Sequence, residues 1–169
     1  DVLGNTAVEK VDSSGKSIVV TAKDRKSGEI KEITCDLVLS AAGVASNIEN
    51  IGLETLGIKT DKGKVVVNQW YETNVAGIYA IGDITEGPAL AHVASAEGII
   101  CVEKIAGHHP QPLDYGNIPS CTYAQPEIAS VGMTEEQAKA AGFERKVGTF
   151  PVSASGKAQA AEHPGGLVK

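Results

Sequence analysis

The sequence predicts a mixed fold, α/β through residue 107 and α+β beyond residue 118. Three patterns predict it. Alternating β-rich stretches open the chain, two apolar runs ending near glycine suit buried strands, and a capped helix set between strand-like segments makes up the tail.

Taken in order, "TAVEKVD" and "KSIVVTAKD" are β-rich and separated by Ser13-Ser14-Gly15. "EIKEITC" alternates polar residues with Ile30 and Ile33 after a turn at Ser27-Gly28, so the first three strands form a small antiparallel ribbon. "CDLVLSAAG" closes on Gly43 and suits a buried strand of the kind found in parallel sheets. "NIENIGLETLGI" reads as a loop with one helical turn, and "KVVVNQWYET" carries a short strand. "GIYAIGD" is expected as a core strand that buries Ile78, Tyr79, Ala80 and Ile81 and ends on Gly82-Asp83. Pro88 suits the first position of a helix running through Ala106. Its early face carries Ala89, Ala91, Ala94, Ser95 and Ala96, small enough for close approach of a sheet or of a ligand.

The Pro- and Gly-rich stretch 108–117 is expected as a linker. Beyond it, "SCTYAQPEIASVG" reads as a broken or bulged strand. In "TEEQAKAAG", Thr134 caps a helix, Gln137 completes a capping box and Gly142 ends it. "FERKVGTFPVSA" is a second strand, "SGKAQAAEHPG" a short helix or loop, and "GLVK" the start of a third strand.

Composition narrows the function. The net charge of -6 argues against a nucleic-acid surface. No run approaches the roughly 20 apolar residues of a membrane span. Cys35, Cys101 and Cys121 are widely spaced, which disfavours a disulfide framework or zinc knuckle and points to a reducing, cytoplasmic setting. His108, His109 and His163 lie in loops without metal-ligand spacing, so no metal site is expected. The opening "DVLGNTAVEKVD" has no signal-peptide pattern, and "GGLVK" stops as a strand begins. The expectation is a fragment of a longer protein.

A strand ending in Gly-Asp before a helix of small residues can build a cofactor site. Glycine permits close backbone approach, a carboxylate accepts hydrogen bonds from hydroxyls, and a helix start offers free N–H groups. By themselves these residues leave a turn or capping role for Asp83 open. The longer string "ETNVAGIYAIGDITEGPALAHVASAEGIICVEKIAG" resembles the flavin-contacting segment of the pyridine nucleotide–disulfide oxidoreductases. "SAAGVASNIENIGLETLGI" is similar to the end of that family's NAD-binding domain, and "IPSCTYAQPEIASVGMTEEQA" to the start of its dimerisation domain. Within the family, "ALAH" looks like the lipoamide dehydrogenase branch.

The resemblance implies four segments: the end of a three-layer nucleotide-binding (NAD) domain at 1–43, a central FAD-contacting domain at 44–107, a linker at 108–117 and a partial α+β dimerisation domain at 118–169. It implies that Asp83 binds the ribitol chain of FAD with Gly82 allowing the approach. Ala89, Leu90, Ala91 and His92 would lie along the pyrimidine end of the flavin and stabilise negative charge there. Gly43 matches the glycine that approaches NAD, followed by Val44-Ala45-Ser46 where many members carry Arg-Arg-Pro. Gln125 stands where a histidine is common before Pro-Glu, an interface variation.

The implied reaction of the longer enzyme is oxidation of dihydrolipoamide to lipoamide with NAD, through a disulfide and FAD. The implied partners are a second copy of the chain and the lipoyl domains of 2-oxoacid dehydrogenase complexes. No G-x-G-x-x-G turn and no closely spaced cysteine pair occurs. No catalytic residue is therefore assigned, and these residues alone are expected to bind FAD weakly or not at all and to be inactive. A glutathione or mercuric reductase, a transhydrogenase, or a non-catalytic dimerisation module remain as alternatives.

Overall fold

In the computed structural model, which describes residues 1–169, the first of two units spans Asp1–Ala45 and is built on the expected ribbon. Strands β1 (Thr6–Asp12), β2 (Ile18–Asp24) and β3 (Ile30–Cys35) pair antiparallel in that order, with a bulge in β1 between Val8 and Lys10. Both hairpin tips close on an aspartate. The Asp12 carboxylate accepts from the Ser14 amide and hydroxyl, and Asp24 accepts from the Lys26 and Ser27 amides at 2.8 and 2.6 Å. Such side-chain turns fix a short loop without help from packing.

The expected strand at "CDLVLSAAG" does not form. No strand pairs with residues 36–43, and Leu37 and Leu39 are 81% and 87% exposed. A buried strand needs neighbours on both edges and cover on both faces. The first unit offers this run neither.

The second unit, Ser46–Lys169, holds a small apolar core of Ile48, Ile58, Val65 and Ala80, packed by Leu53, Val67, Val75, Ile78 and Ile84. Strands β4 (Thr60–Asp61) and β5 (Lys64–Val65) form a two-stranded hairpin beside it. The 46–58 stretch is a loop with a single i→i−4 turn, the Leu56 amide donating to the Gly52 carbonyl, and the strand in "KVVVNQWYET" shrinks to β5.

The "GIYAIGD" strand is likewise reduced. Tyr79 makes one bridge to Glu72, the Ala80 amide donates to the Tyr71 carbonyl, and Ala80 alone of the four expected core residues is fully buried. Ile78 and Tyr79 are half-buried and Ile81 is 38% exposed, because only one edge of the segment has a partner. Gly82–Ile84 then turns as a single 3₁₀ turn.

Helix α1 (Ala91–Ile105) follows, starting three residues later than Pro88. The Leu90 amide donates to the Pro88 carbonyl and Leu90 stays extended, so the chain bends once more before the helix can begin. Val93, Glu97 and Cys101 are its buried face.

The tail keeps most of its local elements, but the strand expected over "FERKVGTFPVSA" shrinks to two residues. Strands β6 (Ser120–Thr122) and β7 (Ile128–Ser130) pair antiparallel across a loop containing the cis Gln125–Pro126 bond. Helix α2 (Glu135–Ala140) carries the complete Thr134/Gln137 capping box and ends ahead of Gly142. Strands β8 (Phe150–Pro151) and β9 (Leu167–Val168) pair around helix α3 (Gly156–Ala160). Cys101 is the last fully buried residue of the chain. No helix is long and apolar enough to cross a membrane.

Candidate functional site

The Gly82-Asp83 turn is held by its backbone. Gly82 has φ +73°, a left-handed conformation that side chains disfavour, and a Cβ there would stand 3.3 Å from the Cβ of Ala94 on α1. The missing side chain of Gly82 thus lets the turn lie flat on the helix. Its carbonyl accepts from both the amide and the hydroxyl of Thr85 at 2.9 Å. The Asp83 carbonyl accepts from the Ser46 hydroxyl at 2.7 Å and from the Lys64 ammonium.

With its backbone so occupied, Asp83 presents an exposed carboxylate that takes no hydrogen bond from any protein group. Nearby in sequence, Ala89, Ala91 and His92 are exposed and Leu90 is half-buried. Leu90 is the N-cap of α1 and supplies no side-chain cap. The Val93 and Ala94 amides bond to the Leu90 carbonyl, while those of Ala91 and His92 have no protein acceptor. The helix start therefore offers free N–H groups and the positive end of its dipole. The turn and α1 pack together, so Asp83 and this helix belong to one local arrangement.

Behind the turn lies a residue that the sequence patterns do not single out. Glu97, 1% exposed, accepts from the Gly82 amide through Oε2 at 2.6 Å and from the Tyr115 hydroxyl through Oε1 at 2.5 Å. The Tyr71 and Tyr115 hydroxyls stand 3.4 Å apart. Burial, then the bond to Glu97, pushes the Tyr115 phenol well above its ordinary value, so it stays protonated as a donor. Burial also raises Tyr71. The available signal for Glu97 was its place at helical spacing between Val93 and Cys101: a lone carboxylate on an otherwise apolar helix face.

Gly43 belongs to the first unit, where it takes φ +107° with open space around its Cα. No three His, Cys, Asp or Glu side chains come together as a metal cluster. All three cysteines are free thiols; Cys101 is buried, which raises its pKa, Cys35 is half-buried, and Cys121 is exposed. A shallow cleft of about 400 Å³ is lined by Tyr115, Gly116, Ile118 and residues 130–133 with Gln137.

Comparison with known proteins gives this arrangement its context. Residues 1–98 match the pyridine nucleotide-disulphide oxidoreductase family and residues 118–169 match that family's dimerisation domain. The chain is 48% identical over 169 residues to a dihydrolipoyl dehydrogenase from Rhizobium etli, covering 99% of this chain and 35% of that protein. It is 44% identical over 165 residues to the mitochondrial dihydrolipoyl dehydrogenase of Pisum sativum, covering 97% and 33%. The chain thus spans about a third of the length of these relatives. Among solved structures, LpdA from Mycobacterium tuberculosis superposes with a TM-score of 0.78 at 27% identity, over 96% of this chain and 35% of that one. The HOCl-induced flavoprotein disulfide reductase RclA from Escherichia coli gives a TM-score of 0.78 at 25% identity, over 95% and 36%.

Proposed function

The chain belongs to the pyridine nucleotide-disulphide oxidoreductase family, and from that premise we propose that it is the flavin-contacting and dimer-forming segment of a dihydrolipoyl dehydrogenase. The observation that carries the proposal is the Gly82-Asp83 turn, whose two carbonyls and Gly82 amide are hydrogen-bonded and whose carboxylate is free, beside an uncapped start of α1. The identity to dihydrolipoyl dehydrogenases, spread over almost the whole chain, supports this branch over the reductases and transhydrogenases considered above.

The residues present fit FAD. The Asp83 carboxylate accepts hydrogen bonds from vicinal hydroxyls such as those of a ribitol chain, and no protein donor competes for it. The amides of Ala91 and His92 have no protein acceptor at an exposed helix start, donors suited to the electron-rich edge of a flavin. When bound, FAD would supply the two-electron transfer between a dithiol and a nicotinamide. The contribution of this chain is to grip the cofactor, orient it and favour negative charge at the helix end. Gly43 is assigned to the NAD side, where a backbone without a side chain allows close approach. Segments 1–43, 44–107, 108–117 and 118–169 are assigned to the NAD domain, central domain, linker and dimerisation domain. The assigned partners are a second copy and lipoyl domains.

A chimera tests this reading. The segment of the Rhizobium etli enzyme that aligns with these residues is replaced by this chain, and flavin content and dihydrolipoamide oxidation are measured. The expected product is yellow and active, and Asp83→Ala within it lowers flavin content. A folded chimera that holds no flavin would overturn the proposal.

A further inference from the structure

We propose that Glu97 is the positioning residue of the Gly82-Asp83 turn and that Tyr115 is a clasp that locks it from the 108–117 segment. The proposal deepens, and rests on, the assignment of Asp83 to a flavin.

Burying a carboxylate is costly unless hydrogen bonds replace its water. Glu97 forms no ion pair, and its partners are the Gly82 amide on one oxygen and the Tyr115 hydroxyl on the other. Each partner is thus needed by the other: removing Tyr115 Oη strips half of the buried carboxylate and loosens the group that holds Gly82. The other ties on the turn come from Thr85, Ser46 and Lys64. Only Glu97 joins the turn by a hydrogen bond to α1, the helix whose start carries the free Ala91 and His92 amides. Glu97 therefore sets the placement of the Asp83 carboxylate relative to those donors.

Tyr115 suits the role of a clasp. It lies on the 3₁₀ turn Tyr115–Asn117, which Asp114 caps by accepting from the Gly116 amide at 2.9 Å. Its ring lies over Gly87, where a Cβ would stand 3.0 Å from Cε1 and φ is +131°, so no other residue leaves room for it. Tyr115 as a whole is 42% exposed while its hydroxyl reaches a sealed carboxylate. It closes from the surface inward, and it can open without unpacking the core. The stretch 108–117 thereby reports on the flavin turn instead of only spanning two segments.

Amide hydrogen exchange by NMR on the 169-residue chain tests this without any cofactor. Glu97→Ala is expected to speed exchange of the Gly82 amide roughly ten- to a hundredfold, the range for losing a hydrogen bond to a charged group. Glu97→Gln retains an acceptor and stays nearer to the parent chain. Tyr115→Phe keeps the ring over Gly87 and speeds Gly82 severalfold, with the capping-box amide of Gln137 unmoved in each variant. If Glu97→Ala fails to fold, Glu97→Leu, closer in volume and without an acceptor, takes its place. Gly82 exchange unchanged in Tyr115→Phe overturns the clasp, and unchanged in both Glu97 variants overturns the positioning role. A parallel FAD titration of the chimera described above, followed by flavin fluorescence, separates the premise. Gly82 loosened as expected, with FAD binding indifferent to Asp83→Asn, would support the clasp and sink the flavin assignment.

Discussion

Single positions in this chain do work that composition does not reveal. At Gly82, the left-handed backbone and the 3.3 Å approach to Ala94 both exclude a side chain. Gly82→Ala is expected to cost roughly 1–3 kcal/mol, seen as a lower urea midpoint for unfolding of the second unit. A midpoint equal to the parent's would show that the turn relaxes freely. The three thiols should also separate by burial. Cys121 is expected to react first with a thiol reagent, Cys35 next, and Cys101 only on unfolding, since burial both shields its thiol and raises its pKa. Fast modification of Cys101 in the native chain would contradict its packing on α1. Asp83 stood out because a Gly-Asp turn before small residues is a local pattern, and the resemblance of the longer string added Ala89–His92. Glu97 and Tyr115 did not, because their partnership joins positions eighteen residues apart through a fold no window can display.

Elements whose causes are local came out as the sequence implies. The ribbon β1–β3 rests on alternation and on Asp-closed tips, and α2 on a four-residue capping box. Thr134→Ala is expected to remove about 1 kcal/mol of local helix stability, read as faster exchange of the Gln137 amide. The tip at Asp24 carries a pH dependence. Its carboxyl is held below the ordinary range, chiefly by the Ser27 amide and then by the Lys26 amide. A depressed carboxyl stabilises the turn fully above its unfolded value near ~4, and that support is lost as pH falls through the lower folded value. Titration of the Ser27 amide shift should follow this course, and Asp24→Asn should flatten it. The apolar runs at 35–43 and 77–83 misled for the opposite reason. Their pattern states that a strand can be buried, but the partners that would bury it are set by long-range pairing. Within this chain one run pairs only at Cys35, the last residue of β3, and the other along a single edge.

At the scale of the whole molecule, burial is concentrated ahead of residue 102 and the tail exposes its apolar side chains. Tyr123 is 89% exposed, and Ile128, Met133, Phe143, Phe150 and Leu167 are also uncovered. Exposed apolar surface of this extent drives association, which accords with the match of 118–169 to a dimerisation domain. Sedimentation velocity is expected to show mass rising with concentration, and Tyr123→Lys with Phe150→Lys should return the chain towards the monomer. A sedimentation coefficient constant with concentration would count against it. The small core around Ile48 and Ala80 was legible only in part: Ala80 is buried as expected, but against Ile48, Ile58 and Val65 and not within a full strand.

The fit of Gly82 onto α1 bears on how such a site changes over time. The turn, the small face at Ala94 and Gly98, and the carboxylate of Glu97 interlock, with a Cβ on Gly98 standing 3.2 Å from Ile81 Cδ1. A substitution at any one of them forces its neighbours to shift, so the effects of changes at these positions are coupled. Transplanting the Asp83 loop into a foreign scaffold would therefore succeed only when the helix travels with it, and recombination between distant relatives should find its workable crossover points outside residues 81–98.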